Sequence, residues 1–204
     1  MHSIVRALSA AALAAVLAGC ATSYKLDNQV QTYSHLAAVP AQPTYRFERS
    51  LSQQADPAQQ ALEALADPAL HRAGFRRDDA APRYTVQVSA RTDRALSPFA
   101  DPWDRWGWGG FGGWGIGLSG RHIGIGFGGP IPRQDSYWFH REVTIIVREL
   151  PANRVVYETH AVNDGPWVDN RAVLPAMFDA ALQGFPNPPP GPRRVDVQVG
   201  ATAR

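Results

Sequence analysis

Three groups of residues have the types and spacing to do chemistry: a lone cysteine at position 20, histidines beside carboxylates around 140 and 160, and glycine runs between 103 and 129. Histidine with a neighbouring carboxylate suits proton transfer. His140 lies near Glu142 and His160 near Glu158, so a carboxylate–histidine site for a hydrolase can be drawn there. The competing reading is ordinary cross-strand polar pairing. His35, His71 and His122 complete the histidines beyond the N-terminal stretch, and with no H-E-x-x-H and no cysteine partner, no metal site is expected. The runs 110–115 and 115–120 both satisfy G-x-G-x-x-G, but Ile123-Gly124-Ile125-Gly126 follows where a dinucleotide site needs a helix to hold the pyrophosphate. Ser119 sits in G-L-S-G-R, which is not the G-x-S-x-G of a serine hydrolase. Asp164-Gly165 and Asp169-Asn170 are turn and cap material without calcium-loop spacing. No enzyme activity and no cofactor are therefore expected.

The composition bounds the remaining possibilities. The chain has 204 residues, 45% hydrophobic, enough for one domain with a real core. Lys and Arg number 20 against 18 Asp and Glu, a net charge of +2, which leaves no basic field for nucleic acid. The first residues carry Arg6 and no acid, Ala7 to Ala18 is apolar apart from Ser9, and Leu17-Ala18-Gly19-Cys20 follows. That order is an export signal, too short in its apolar part for a permanent bilayer span. The last four residues resemble the lipobox of bacterial lipoproteins. The resemblance implies cleavage between Gly19 and Cys20, a diacylglyceryl group on the Cys20 thiol and acylation of the freed amine. Each buried methylene adds about 0.8 kcal/mol, so two or three chains hold a protein durably where one does not. Cys20 is thus expected to be an anchor into the membrane; in the lipoproteins it resembles, Asp directly after that cysteine favours inner-membrane retention, so with Ala21 the resemblance implies the periplasmic face of the outer membrane.

Past the signal (1–19), residues 20–43 read as a linker with an edge strand in which Leu26, Asn28, Val30 and Thr32 alternate with polar residues. Residues 44–186 carry the domain. Tyr45 and Phe47 mark a strand, Asp56-Pro57 starts a helix that Pro68 kinks or restarts, and Gly74 ends it. Tyr84, Val86, Val88 and Ala90 define another strand. Tyr137–Leu150 and a return strand from Val155 to about Val162 form the strongest hairpin. Asn170 is expected to cap a second helix that closes at Gly184-Phe185-Pro186. Residues 187–204 read as a Pro-rich tail with a short strand at 195–197. The pattern predicts an α+β fold, a two-layer sandwich of a mostly antiparallel sheet with two helices packed on one face.

Twelve of the 18 glycines and four of the six tryptophans lie in an insert at 103–129. Ile116 and Leu118, then Ile123, Ile125 and Phe127, alternate with glycine, which predicts a hairpin with one bare face. Ahead of it, Trp103, Trp106, Trp108, Phe111 and Trp114 form either a flexible loop or a contact surface for a membrane or another envelope protein.

Taken in order, the lipoprotein signal, an early Tyr-x-Phe strand, a helix ending Leu70 to Phe75, a Tyr-x-Val-x-Val strand, the Gly/Trp-rich middle, the long hairpin and a last helix ending Phe-Pro resemble the DUF4136 family of envelope lipoproteins. Asn153 and Tyr157 stand where that family has Asp and Trp. The resemblance implies fold and envelope location, and carries no catalytic residue across.

Overall fold

The computed structural model describes residues 23–97, 116–119, 122–125 and 137–200. Cys20, Gly19 and the aromatic run from Trp103 to Trp114 lie outside these residues, as does Phe127.

Seven strands make one mixed sheet: β1 (Tyr24–Ser34), β2 (Thr44–Phe47), β3 (Arg76–Arg77), β4 (Tyr84–Leu96), β7 (Tyr137–Glu149), β8 (Arg154–Gly165) and β9 (Arg193–Val199). Their order is β3-β2-β4-β7-β8-β1-β9. β2 runs parallel to β3 and β4, and the other neighbours are antiparallel. Two helices, α1 (Pro57–Arg72) and α2 (Asn170–Leu182), complete an α+β fold. The separate hairpin β5 (Ile116–Ser119) and β6 (His122–Ile125) pairs Gly117 with Gly124 in register.

Period-two alternation sets the core. Leu26 and Val30 on β1, Val86 and Val88 on β4, Val143, Ile145 and Val147 on β7, and Tyr157 and Ala161 on β8 are buried together. α1 touches β4 and α2, and α2 touches β1, β7, β8 and β9. Phe185, just past α2, packs at 5.2 Å from Phe75 and 5.0 Å from Tyr157, ring centre to ring centre.

Four local readings change. β1 is an interior strand between β8 and β9 instead of an edge, and it begins at Tyr24, so 20–43 is not mainly linker. The edge is β9, which takes seven residues from the expected tail and buries Val195 and Val199. α1 continues through Pro68 instead of restarting at Asp67, the missing N–H being outweighed by the burial of Ala66, Ala69 and Leu70 on either side. The α2 cap is Asp169, whose side chain accepts the Arg171 N–H at 2.9 Å. Asn170 has another task, described below. At the end of α1, Gly74 adopts φ +103°, and the Phe75 N–H returns to the Leu70 carbonyl at 3.0 Å.

One row of the sheet fixes the relation between its ends. Asn28 faces Asn163, Asn163 faces Arg141, and Arg141 faces Thr92. Tyr24, Leu96, Tyr137 and Gly165 therefore lie toward the same end of the sheet.

Candidate functional site

β7 and β8 bring the predicted histidines onto the face of the sheet away from the core. There His140 faces Asp164, Glu142 faces Val162, and Thr144 faces His160. His140 Nδ1 lies 2.8 Å from Asp164 Oδ1, and both side chains are about half exposed. His160 Nδ1 lies 3.0 Å from Thr144 Oγ1 and 3.5 Å from Glu142 Oε1, while Nε2 lies 2.8 Å from Glu158 Oε1. Four residues along β7 separate His140 from Thr144, a distance of about 13 Å at strand rise, so the two histidines do not share a site. His160, Glu142 and Glu158 border a shallow groove of about 450 Å³ with Gln29, Gln31 and Tyr33 of β1. The groove offers carboxylates, amides and a phenol, a surface for polar or cationic groups. Both ring nitrogens of His160 already have partners there. Among the described residues no group of three His, Cys, Asp or Glu side chains is placed to hold a metal ion.

A second arrangement lies beneath the sheet, and the sequence reading missed it. Asn28, Asn163 and Arg141 are buried side by side in the row described above. Arg141 Nε donates to Asn170 Oδ1 at 2.7 Å, and Nη2 donates to the Trp167 carbonyl. The guanidinium also lies 4.7 Å from the centre of the Phe139 ring. Asn28 Nδ2 donates to the Val195 carbonyl at 3.1 Å and Asn163 Nδ2 to the Asp27 carbonyl at 2.9 Å, tying β9, β1 and β8 together by side chains as well as backbone. Arg141 Nη1 and both asparagine Oδ1 atoms have no hydrogen-bond partner among the described residues. Burial pulls the Arg141 pKa below its ordinary value, and Tyr24 nearby acts in the opposite sense. Tyr24 stacks on Trp167 at 3.9 Å, and the missing side chain of Gly165 leaves room for that indole: a Cβ there would come within 2.9 Å of it. The signal was available, because Arg141 is in phase with Val143, Ile145 and Val147.

A third polar group joins α1 to the strand end. Arg49 Nε donates to Glu63 Oε1 at 2.7 Å and its Nη2 reaches Oε2, while Gln59 Nε2 adds a bond at 3.3 Å. Glu63 is 2% exposed, and this paired carboxylate raises the Arg49 pKa.

The described residues contain no helix long and apolar enough to cross a membrane, which says nothing of strands. The mixed sheet with two helices places the chain among α+β domains. It belongs to the DUF4136 family, a domain of unknown function, whose sequence model matches residues 29–187. No curated protein matches the chain. Among solved structures it is similar to a PelC dodecamer from Paraburkholderia phytofirmans at 12% identity, covering 76% of this chain and 94% of that one, with a TM-score of 0.44. It is also similar to a PDZ domain protein from Parabacteroides distasonis at 13% identity, covering 87% of this chain and 39% of that one, with a TM-score of 0.47.

Proposed function

We propose that this chain is a lipoprotein of the bacterial envelope, held on the periplasmic face of the outer membrane through acyl chains on Cys20. Its domain acts without catalysis, as a binding or structural module. The observation that carries this reading is the sequence Leu17-Ala18-Gly19-Cys20 at the end of a short apolar stretch, with the chain's single cysteine at the position lipidation requires.

Trp103, Trp106, Trp108, Phe111 and Trp114 are assigned to contact with the same membrane or with another envelope protein. What supports this is the location of the strand ends that flank them: Leu96 and Tyr137 face each other at the sheet end where Tyr24 begins β1. In this reading the two helices also form a single layer on one face of the sheet, a two-layer sandwich, with the histidine face left open. The contacts of α2 with β1, β7, β8 and β9 support that arrangement.

Cell fractionation tests the anchor. The native chain is expected in the outer-membrane fraction, resistant to high salt, and Cys20→Ser in a soluble or salt-released fraction. Retention of Cys20→Ser in the membrane under high salt would overturn the proposal.

A further inference from the structure

Among the described residues β4 has one edge fully used and one largely open. β7 pairs with it from Tyr84 to Leu96, but β2 covers the other edge only from Tyr84 to Val86. On that side the Glu48 N–H meets the Val86 carbonyl at 2.9 Å, and the Gln59 side chain donates to the Val88 carbonyl at 3.2 Å. Backbone groups of alternate strand residues point the same way, so Ala90, Thr92, Arg94 and Leu96 aim theirs out of this edge. Among the described residues no strand receives them. Every residue from Ser89 to Leu96 is exposed. An unpaired edge of this length is a template for another strand.

We propose that the occupant is a second copy of this chain, with β4 pairing antiparallel to the same strand of its partner about a twofold axis at Thr92. Charge selects both occupant and register. Hydrogen bonding between two such edges requires the outward-pointing even positions to meet each other. About Thr92, Arg91 faces the partner's Asp93 and Asp93 faces the partner's Arg91. The adjacent allowed registers are centred on Arg91 or on Asp93 and oppose like charges, which is destabilising. Arg91 and Asp93 already share one face, their side chains 2.8 Å apart. Thr92 is also the midpoint of the stretch from Val88 to Leu96 that β2 leaves uncovered, so the register favoured by charge uses the whole open edge. Val88 brings its N–H to the end of this ladder, its carbonyl being held by Gln59.

Sedimentation of the full chain in detergent reads the stoichiometry, and a dimer is expected at tens of micromolar. In that pairing the two Thr92 Cα atoms lie about 5.5 Å apart, within disulfide reach. Thr92→Cys in a Cys20→Ser background is therefore expected to give a covalent dimer on mild oxidation, and Ser89→Cys, which faces the partner's Ala95, is not. Arg91→Asp should weaken association by more than about tenfold, because it opposes two carboxylates at each end of the pair. The exchange Arg91→Asp with Asp93→Arg should restore it, which loss of folding could not do. A monomeric native chain would overturn the proposal, as would an edge covered by the chain's own β5–β6 hairpin. So would a dimer indifferent to the charge reversal, or equal crosslinking at positions 89 and 92.

Discussion

Tyr45 and Tyr157 are fully buried, and both phenols are held protonated. Burial pushes the Tyr157 pKa up to about 12. Burial followed by the hydrogen bond to Asp67 raises that of Tyr45 further. An unfolded tyrosine ionises near pH 10. Between that value and the folded one the native chain holds protons that the unfolded chain has released. The stabilisation is thus complete below about pH 10 and is lost as pH rises through the folded pKa, for Tyr157 over the window from about 10 to about 12. The urea midpoint is expected to stay level from pH 8 to just under 10 and to fall above it, with a shallower fall in Tyr157→Phe. A midpoint unchanged at pH 11 would refute this. Tyr157 follows two valines, the second of them also buried, and alternation does not single it out, whereas Tyr45 could be read as an inward residue from its alternation with polar neighbours. Arg141 could have been read the same way, but a charge at an inward position is ordinarily reassigned to the surface, and the partners that make its burial tolerable come from the α2 start and the Trp167 backbone, which no local pattern names.

The start of α2 shows how adjacent residues divide labour within an element. Asp169 caps the helix, and Asn170, its first residue, holds Arg141. Asp169→Ala should cost about 1 kcal/mol, the usual loss of a helix cap. Asn170→Ala should cost about 2 kcal/mol, because it removes a charge-assisted bond from a buried guanidinium. Chemical denaturation of both variants checks the order, and equal or reversed losses would contradict the assignment. Periodicity made both helices and all the long strands legible, since it reports which side of an element is buried. It gave the cap one residue late because Asp169 and Asn170 are both good caps by type. It could not place β1 inside the sheet, because the neighbour that covers it, β9, lies far along the chain and alternation does not name a partner.

Across the whole molecule, β1 and β9 close the sheet with segments from the two ends of the described chain. The family match spans residues 29–187 and stops short of β9. A chain ending after residue 192 would strip the outer edge of β1 from Tyr24 to Val30, leaving only the β8 side paired from Asn28 onward, and remove the buried Val195 and Val199. Losing those two side chains should cost about 3 kcal/mol or more. A clear drop in the denaturation midpoint is expected, and an unchanged one would show that β9 adds nothing to the domain. The functional face was less legible than the fold. Hairpin alternation gave His160 its neighbour Glu158, but His140 pairs with Asp164, read from the sequence as turn material, instead of Glu142; that partner and the separation of the two histidines both depend on a register that composition does not specify.

The early start of β1 bears on reach. Tyr24 is four residues beyond Cys20, and four residues of fully extended chain cover about 14 Å. The anchor proposed at Cys20 would therefore be a short leash, holding the domain against the bilayer and unable to carry it across the periplasmic gap. Two copies joined along β4 would have their leashes at opposite ends of a common sheet. Both could enter one leaflet only with the twofold axis along the membrane normal, so the paired sheets would lie flat on the lipid like a raft.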